Sequence, residues 1–263
     1  MDHINQNHFS NIRIVLVGTS HPGNIGATAR AMKTMGLSRL YLVTPKKFPD
    51  HEATARASGA DDILASAQVF SSLPEALTGC GMVVATTARM RSMQWPIMEP
   101  KGMAKKVIGL ATDNECALVF GHERSGLSNE ELAHCHAAVM IPTEKEFSSL
   151  NLAAAVQILV YEIRQAILDL DVNQDKSNVI DQEALATSEQ MENFYEHLEK
   201  TMIDIDFFDP KNPKHLMHRF RRLFNRCSME QSEVQIMRGL LTASQKMVQK
   251  LATSSNDKAA KKN

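Results

Sequence analysis

The chain has 263 residues, of which 43% are hydrophobic and 22% are charged, so it is long enough to bury a substantial core. Its formal net charge of −1 at pH 7 excludes a general attraction to polyanions, and any nucleic-acid binding must come from local basic clusters. The four cysteines form no CxxC pair, which argues against a metal site and favours a reducing, cytoplasmic setting. We find no apolar signal core at the start and no apolar run near the roughly 20 residues that would span a membrane.

Strand and helix patterns alternate over the first 170 residues. Strands are predicted at 12–18, 39–45, 82–88, 117–121 and 137–142. Helices are predicted at 25–35, at 74–81, within 99–111, after a capping box of Ser128 and Glu131, and at 151–170. The last of these helices has an apolar stripe formed by Leu152, Val156, Leu159, Ile163 and Ile167. The alternation predicts an α/β fold with a mostly parallel sheet, in which ligands bind in loops that follow the strands.

The pattern changes after residue 170. Residues 171–188 are polar and predict a linker, and 189–251 predict two helices separated around 206–215. The final ten residues predict a frayed tail. We therefore expect a first domain at 1–170, a linker at 171–188 and a small all-α unit at 189–263.

A glycine-rich turn at 18–36 follows the first strand and opens a helix. The N–H groups of such a helix start suit an anion, although the common nucleotide motifs are absent. Arg30, in the second turn of the helix, either reaches back toward this start or lies on the surface. Residues 11–49 contain six basic residues and no acidic one, which indicates either a basic surface or ordinary solvated charges. The six are Arg13, Arg30, Lys33, Arg39, Lys46 and Lys47.

The loop at 86–96 also follows a strand. It contains Arg89, Arg91 and the single tryptophan, Trp95. Arginines beside an aromatic ring suit an RNA phosphate and a base, whereas the alternative is a loop that Trp95 merely packs.

The segment 119–132 joins a strand to the capped helix. Gly121 is a position where a ligand could approach the backbone closely. Glu123 and Arg124 are either catalytic or paired with each other within the turn, and the pairing is the commoner outcome.

Three polar residues, Ser148, Ser149 and Asn151, precede the long helix without a glycine or proline between. One of them is expected to cap the helix. Because a cap needs only one such residue, the other two are predicted to face a ligand, the alternative being that they have no further role.

Residues 210–229 contain six basic residues, two histidines and no carboxylate. Helical spacing places Leu216, Phe220, Leu223 and Phe224 toward a core and Arg219, Arg222 and Arg226 outward. A basic helix face of this kind suits RNA phosphates, although it could simply be solvated.

Three stretches, 24–36, 118–132 and 141–162, resemble in this order the three motifs of the SpoU-type knotted (SPOUT) RNA ribose 2′-O-methyltransferases. The pattern that begins at Phe194 and ends at Arg226 also resembles the helical extension of bacterial tRNA methyltransferases in this family. The likeness therefore extends over nearly the whole chain.

This resemblance implies a trefoil knot in the first domain, S-adenosylmethionine held in it, and a homodimer. It assigns cofactor contacts to Thr86, Thr87, Ala88, Gly121, Ile141, Ser148, Ser149 and Leu150.

The resemblance also implies methylation of a ribose 2′-OH in tRNA, at cytidine or uridine 32, without a metal. Arg30, assisted by Asn24 and Ser149, would be catalytic, and RNA contacts would come from Arg89, Arg219, Arg222 and Arg226. Other tRNA or rRNA nucleotides remain alternatives, as does a non-catalytic RNA-binding protein. A nucleotide-dependent enzyme is weakened by the absent nucleotide motifs.

Overall fold

The computed structural model describes residues 9–88, 96–173, 184–211, 213 and 215–260. In these ranges an α/β unit is followed by a helical unit. The strands are β1 (Ile12–Val17), β2 (Arg39–Val43), β3 (Gln68–Phe70), β4 (Cys80–Thr86), β5 (Ile97–Met98), β6 (Glu115–Phe120) and β7 (Ala137–Val139). The helices of the α/β unit are α1 (Pro22–Met35), α2 (His51–Ala57), α3 (Asp61–Ser66), α4 (Leu73–Leu77), α5 (Pro100–Ala111), α6 (Asn129–Leu132) and α7 (Leu152–Asn173). The helical unit contains α8 (Ser188–Asp204), α9 (Leu216–Cys227) and α10 (Gln231–Ala260).

All strands join one parallel sheet in the order β3-β2-β1-β6-β4-β7-β5. The central strands β6, β4 and β7 are neighbours, and the register pairs Ala85 with Val119 on one side and with Ala138 on the other. Because these strands run in the same direction, their carboxyl ends meet at one edge of the sheet. The predicted α/β fold with a mostly parallel sheet is confirmed.

Side chains of β1 alternate between two cores on opposite faces of the sheet. Ile12, Ile14 and Leu16 pack in a cluster with residues of α1, α5 and α7, whereas Val15 and Val17 pack with residues of α4 and α6. The predicted stripe of α7 is buried in the first of these clusters. Helices therefore cover both faces, as a parallel sheet requires.

The helical unit has its own core around Phe194 and Tyr195 of α8. The prediction of two helices is wrong, because Ser228 adopts a left-handed conformation (φ 50°) that separates α9 from α10. Leu223, predicted to face the core, is 42% exposed, while Phe220 and Phe224 pack against that core as expected. Helix α10 continues to Ala260, although the last ten residues were predicted to form a frayed tail.

Four short elements were not predicted from the sequence: α2, α3, β3 and β5. Strand β3 exposes Gln68 and Val69, so it lacks the alternation that identifies a half-buried strand. Strand β5 has only two residues. In the described parts of the chain, no helix combines the length and apolar character that crossing a bilayer requires.

The predicted basic surface at 11–49 is only partly present. Arg13 is 3% exposed, forms an ion pair with Glu115, and donates to the carbonyl oxygens of Ala76 and Thr78 at 2.9 and 3.0 Å. Arg39 binds the other oxygen of Glu115 at 2.7 Å. These arginines stabilise the amino ends of β1, β2 and β6, opposite the edge where the carboxyl ends meet. Their shared acidic partner is far away in sequence, so the local composition was misleading.

Candidate active site

A cleft of about 280 Å³ opens where the carboxyl ends of β4, β6 and β7 meet. Its walls come from the segments that follow these three strands. The residues that the family resemblance assigns to the cofactor all line it: Thr86, Thr87, Ala88, Gly121, Ile141, Ser148, Ser149 and Leu150. Apolar side chains that sequence reasoning did not assign to the site also line it, namely Phe120, Leu127, Leu132, Val139 and Leu152. Phe120 and Val139 end their strands, whereas Leu152 was predicted only as part of the apolar stripe of the long helix.

Gly121 permits the tight turn that follows β6. A Cβ atom at this position would lie 2.3 Å from the carbonyl carbon of Gly126 and 2.3 Å from the nitrogen of Leu127. The requirement for glycine therefore comes from the backbone of the turn itself, which the His122–Gly126 bridge closes. This internal contact is sufficient to explain the glycine, and the close approach of a ligand to Gly121, which lines the cleft, stays a prediction.

His122 joins the turn to the end of β1. Its Nδ1 lies 3.1 Å from the carbonyl oxygen of Gly18, and a Cβ at Gly18 would meet the imidazole ring at 1.8 Å. Gly18 also has a positive φ of 61°. Space and backbone conformation thus both require glycine there, and the histidine was not among the predicted site residues.

Glu123 occupies the start of α1. Its carboxylate accepts hydrogen bonds from the backbone N–H of Ser20 at 3.0 Å, the hydroxyl of Ser20 at 2.8 Å, the N–H of His21 at 3.2 Å and Nδ2 of Asn24 at 3.1 Å. The anion site predicted at this helix start is therefore filled by a carboxylate of the same chain. No Glu123–Arg124 ion pair occurs among those of the described residues.

The charge of Glu123 is strongly favoured. Partial burial acts to raise its pKa, but hydrogen bonds from its own backbone N–H, from Ser20 and from Asn24 lower that pKa to about 2. Because Glu123 also lines the cleft, a fixed negative charge stands at its wall at neutral pH.

Asn24 connects this carboxylate to the start of α7. Its Oδ1 accepts a hydrogen bond of 3.0 Å from Nδ2 of Asn151. The Oδ1 of Asn151 caps α7 by accepting from the N–H groups of Ala153 at 2.9 Å and Ala154 at 3.4 Å. Of the three polar residues before α7, Asn151 is thus the cap, and Ser148 and Ser149 line the cleft.

The remaining predicted site residues are distributed over the surface. Arg30 is exposed on α1 and does not line the cleft of its own chain. Arg219 and Arg226 are exposed on α9, and Arg222 is half-buried there. Arg89 lies outside the described residues, as do Arg91 and Trp95. Within the described residues, no group of three or more His, Cys, Asp or Glu side chains is placed to hold a metal ion.

Two family models match this chain. The SpoU rRNA methylase family matches residues 11–161, and the C-terminal domain of tRNA methyltransferase TrmJ matches residues 189–254. A relative from Pseudomonas aeruginosa (strain UCBPP-PA14), named tRNA (cytidine/uridine/adenosine-2′-O-)-methyltransferase TrmJ, is 49% identical over 252 residues, or 94% of this chain and 98% of the relative. The chain belongs to the TrmJ group of the SpoU methylase family. The family predicted from the three motifs is thereby confirmed.

Other TrmJ proteins agree with this membership. The tRNA (cytidine/uridine-2′-O-)-methyltransferase TrmJ of Sodalis glossinidius is 51% identical over 233 residues, which cover 89% of this chain and 91% of the relative. The crystal structure of TrmJ from Z. mobilis ZM4 superposes with a TM-score of 0.76 at 33% identity and covers 88% of this chain and 97% of that one. The TrmJ architecture, an α/β unit followed by helices, therefore applies to nearly the whole chain.

Proposed function

We propose that the protein transfers a methyl group from S-adenosylmethionine to a ribose 2′-OH of tRNA, at cytidine or uridine 32 of the anticodon loop. The observation that carries this proposal is that the second and third family motifs line one cleft at the carboxyl ends of β4, β6 and β7, while Asn24 of the first motif is hydrogen-bonded to Glu123 and Asn151 of the other two. Membership of the TrmJ group supports tRNA as the substrate. The position in the loop rests on the motif resemblance.

The cleft fits the proposed donor in size and chemistry. Small-molecule sites start at roughly 300 Å³, close to the observed volume of about 280 Å³. Leu127, Leu132 and Ile141 supply apolar walls for a base, and the hydroxyls of Ser148 and Ser149 supply polar contacts. When bound, S-adenosylmethionine supplies an activated methyl group on a sulfonium. The cofactor contacts assigned above are retained.

Arg30 would act on the nucleophile. A ribose hydroxyl is a poor nucleophile, so it must be positioned and its developing negative charge stabilised. Arginine stays protonated in proteins, and charge stabilisation is therefore a better description of its role than proton removal. Ser149, exposed at the cleft, would help orient the hydroxyl. The side chain of Asn24 donates a hydrogen bond to Glu123 through Nδ2 and accepts one from Asn151 through Oδ1. We therefore propose that Asn24 holds α1 in place beside the cleft.

The protein would work as a homodimer. Arg30 does not line the cleft of its own chain, and a second copy would allow each Arg30 to serve the other cleft. The proposed knot would hold residues 141–151 rigidly as a wall between the cleft of one chain and the Arg30 of the other.

A complementation experiment tests this arrangement. Arg30→Ala and Ser148→Trp, which fills the cleft, would each inactivate a homodimer. Mixed dimers regain one working site in two if Arg30 serves the other chain. If the mixed dimers stay inactive, Arg30 acts within its own chain. An Arg30→Ala homodimer that stays active would show instead that Arg30 has no catalytic role.

The helical unit would bind the tRNA body. Arg219, Arg222 and Arg226 on α9, with Arg89, are the proposed phosphate contacts. We retain the division into a methyltransferase domain at 1–170, a linker at 171–188 and an extension at 189–263. An enzyme with this substrate would work in the cytoplasm.

The decisive experiment is transfer of label from S-adenosylmethionine into unmodified tRNA, followed by mass mapping of the nucleotide. We expect label at position 32. Label at another nucleotide would correct the site but keep the chemistry, and tRNA binding without label would support a non-catalytic protein. Because the P. aeruginosa relative is named for adenosine as well, a tRNA with adenosine at position 32 should be included.

A further inference from the structure

Helix α9 has two faces with different tasks. Arg219 and Arg226 are exposed on one face, where tRNA binding is proposed. The other face carries Asn225, a polar side chain that is only 3% exposed, and Arg221, which is half-buried. A buried amide needs hydrogen-bond partners, and the partners of Asn225 indicate which part of the molecule this face of α9 contacts.

Asn225 reaches out of the helical unit into the α/β unit. Its Nδ2 donates to the carbonyl oxygens of Ala133 at 3.0 Å and Cys135 at 3.2 Å. Its Oδ1 accepts a hydrogen bond of 2.5 Å from the hydroxyl of Tyr195. One side chain thus links α9, α8 and the turn between α6 and β7.

A charged contact lies beside this amide. Glu192 of α8 binds the Arg221 guanidinium through both oxygens, at 2.5 and 2.6 Å, and lies 3.1 Å from Nδ1 of His134. The Arg221 guanidinium also stands 4.5 Å from the ring centre of Tyr195. The hydrogen bonds from His134 and Arg221 outweigh the effect of burial and lower the pKa of Glu192 to about 2, so this carboxylate is charged.

The contacted turn, residues 133–136, lies between two residues that line the reaction cleft. Leu132 precedes it and Val139 follows shortly after, and both line the cleft. His136 fixes the turn to β4, because its N–H donates to Val83 and its Nδ1 accepts from the N–H of Val83. The orientation of α9 is therefore coupled, through residues 133–136, to residues that line the proposed site of methyl transfer.

Apolar packing alone does not hold the two units in register here. A cavity of about 290 Å³ lies beside the same residues, lined by Leu77, His134, Glu192, Tyr195 and Asn225 among others. Directional hydrogen bonds restrict rotation and sliding where packing is incomplete.

We propose that Asn225 and Glu192 are positioning residues that hold the basic face of α9 at one distance and angle from the cleft, and so determine which tRNA nucleotide meets the methyl donor. The proposal rests on the function proposed above. Loss of register misplaces the ribose, and misplacement by about 1 Å can reduce a rate on the order of 100-fold.

Asn225→Ala tests it in the full-length chain. We expect affinities for tRNA and for S-adenosylmethionine within about threefold of the unmodified protein, because their proposed contacts stay intact. The single-turnover rate at saturating tRNA should fall on the order of 10- to 100-fold, with methyl groups spread to neighbouring nucleotides. His197→Ala is the matched control, since it removes a polar contact to Gln245 within the helical unit only.

A distance measurement gives a second readout that does not need activity. Spin labels would be attached at the exposed Cys227 of α9 and at Ser38→Cys in the α/β unit. We expect a narrow distance distribution that Asn225→Ala broadens. Glu192→Gln, a smaller change, serves if the first variant does not fold, and should act in the same direction.

Unchanged saturating rates, methylation sites and distance distributions in the folded variants would overturn the proposal, even if their melting temperatures fall. A protein that methylates no RNA would refute the proposed function instead, and the distance measurement would then decide the positioning role by itself.

Discussion

Arg30 is the residue on which the proposed chemistry depends most. Arg30→Ala should lower the rate of methyl transfer on the order of 100- to 1,000-fold, the usual effect of losing a charge-stabilising group. Because the side chain is exposed, the free energy of unfolding should change by no more than roughly 0.5 kcal/mol. Single-turnover kinetics measure the first quantity and urea denaturation the second.

Arg30→Lys is the control for charge. It keeps the positive charge but loses the planar fork, so an intermediate rate is expected. A rate close to normal in Arg30→Ala would remove the catalytic assignment.

His136 should make the protein sensitive to mild acid. Burial, assisted by the positive charge of Lys106, lowers the pKa of His136 to about 4. The unfolded chain then takes up this proton more readily than the folded one. Stability from the neutral imidazole is complete above pH 6.5 and is lost as pH falls toward 4, by up to roughly 3 kcal/mol.

His136→Asn keeps an acceptor for the N–H of Val83 but cannot titrate. Melting temperatures measured from pH 7 to 4.5 should fall less steeply in this variant. The range stops at 4.5 because protonation of Glu123 and Glu192 destabilises both proteins below it. Parallel slopes would show that His136 does not titrate on unfolding.

Helix α7 depends on a cap that also joins it to α1. Asn151→Ala removes the acceptor for the N–H groups of Ala153 and Ala154 and should cost about 1 kcal/mol. Asn151→Asp keeps the cap but loses the donor to Asn24, so its stability should be closer to normal.

Comparison of Asn151→Ala with Asn151→Asp separates the capping of α7 from the hydrogen bond between Asn151 and Asn24. Urea denaturation gives the stability, and methyl transfer reports the link to Asn24. Equal destabilisation by alanine and aspartate would contradict the capping role.

The molecule as a whole binds tRNA through charge, according to the proposed function. Its net charge is −1, so the effect must come from local basic residues, and three of the four proposed phosphate contacts lie on α9. Replacing Arg219, Arg222 and Arg226 by glutamine should weaken binding and reduce the slope of log affinity against log salt by about one per lost phosphate contact. Fluorescence anisotropy with labelled tRNA at several salt concentrations measures this slope. An unchanged slope would place the phosphate contacts elsewhere.

The fold class was predictable because it follows short-range patterns, and part of the cleft lining was predictable from the motif resemblance. β1 is apolar except for Arg13, α7 has a 3.6-residue stripe, and Ser128 forms its capping box with Glu131 as expected. Thr86, Gly121 and Ser148 were selected through the motif resemblance, and parallel strands bring the segments that contain them to one edge of the sheet.

Other features could not be predicted because their partners are distant in sequence. Arg13 was predicted to contribute to a basic surface, but it is buried in an ion pair with Glu115, which is distant in sequence. The break at Ser228 has no glycine or proline to announce it.

Patterns that repeat every two or four residues are present in the sequence and determine the alternating strands and helices and their apolar faces, and the three motifs are recognisable there by their resemblance to the family. Which polar group satisfies which buried partner follows only from the folded chain. Glu123 meets Ser20 across 103 positions and Asn225 meets Ala133 across 92, and no local pattern encodes either contact. Many polar side chains could have satisfied those N–H and carbonyl groups, and three-dimensional proximity selected one of them.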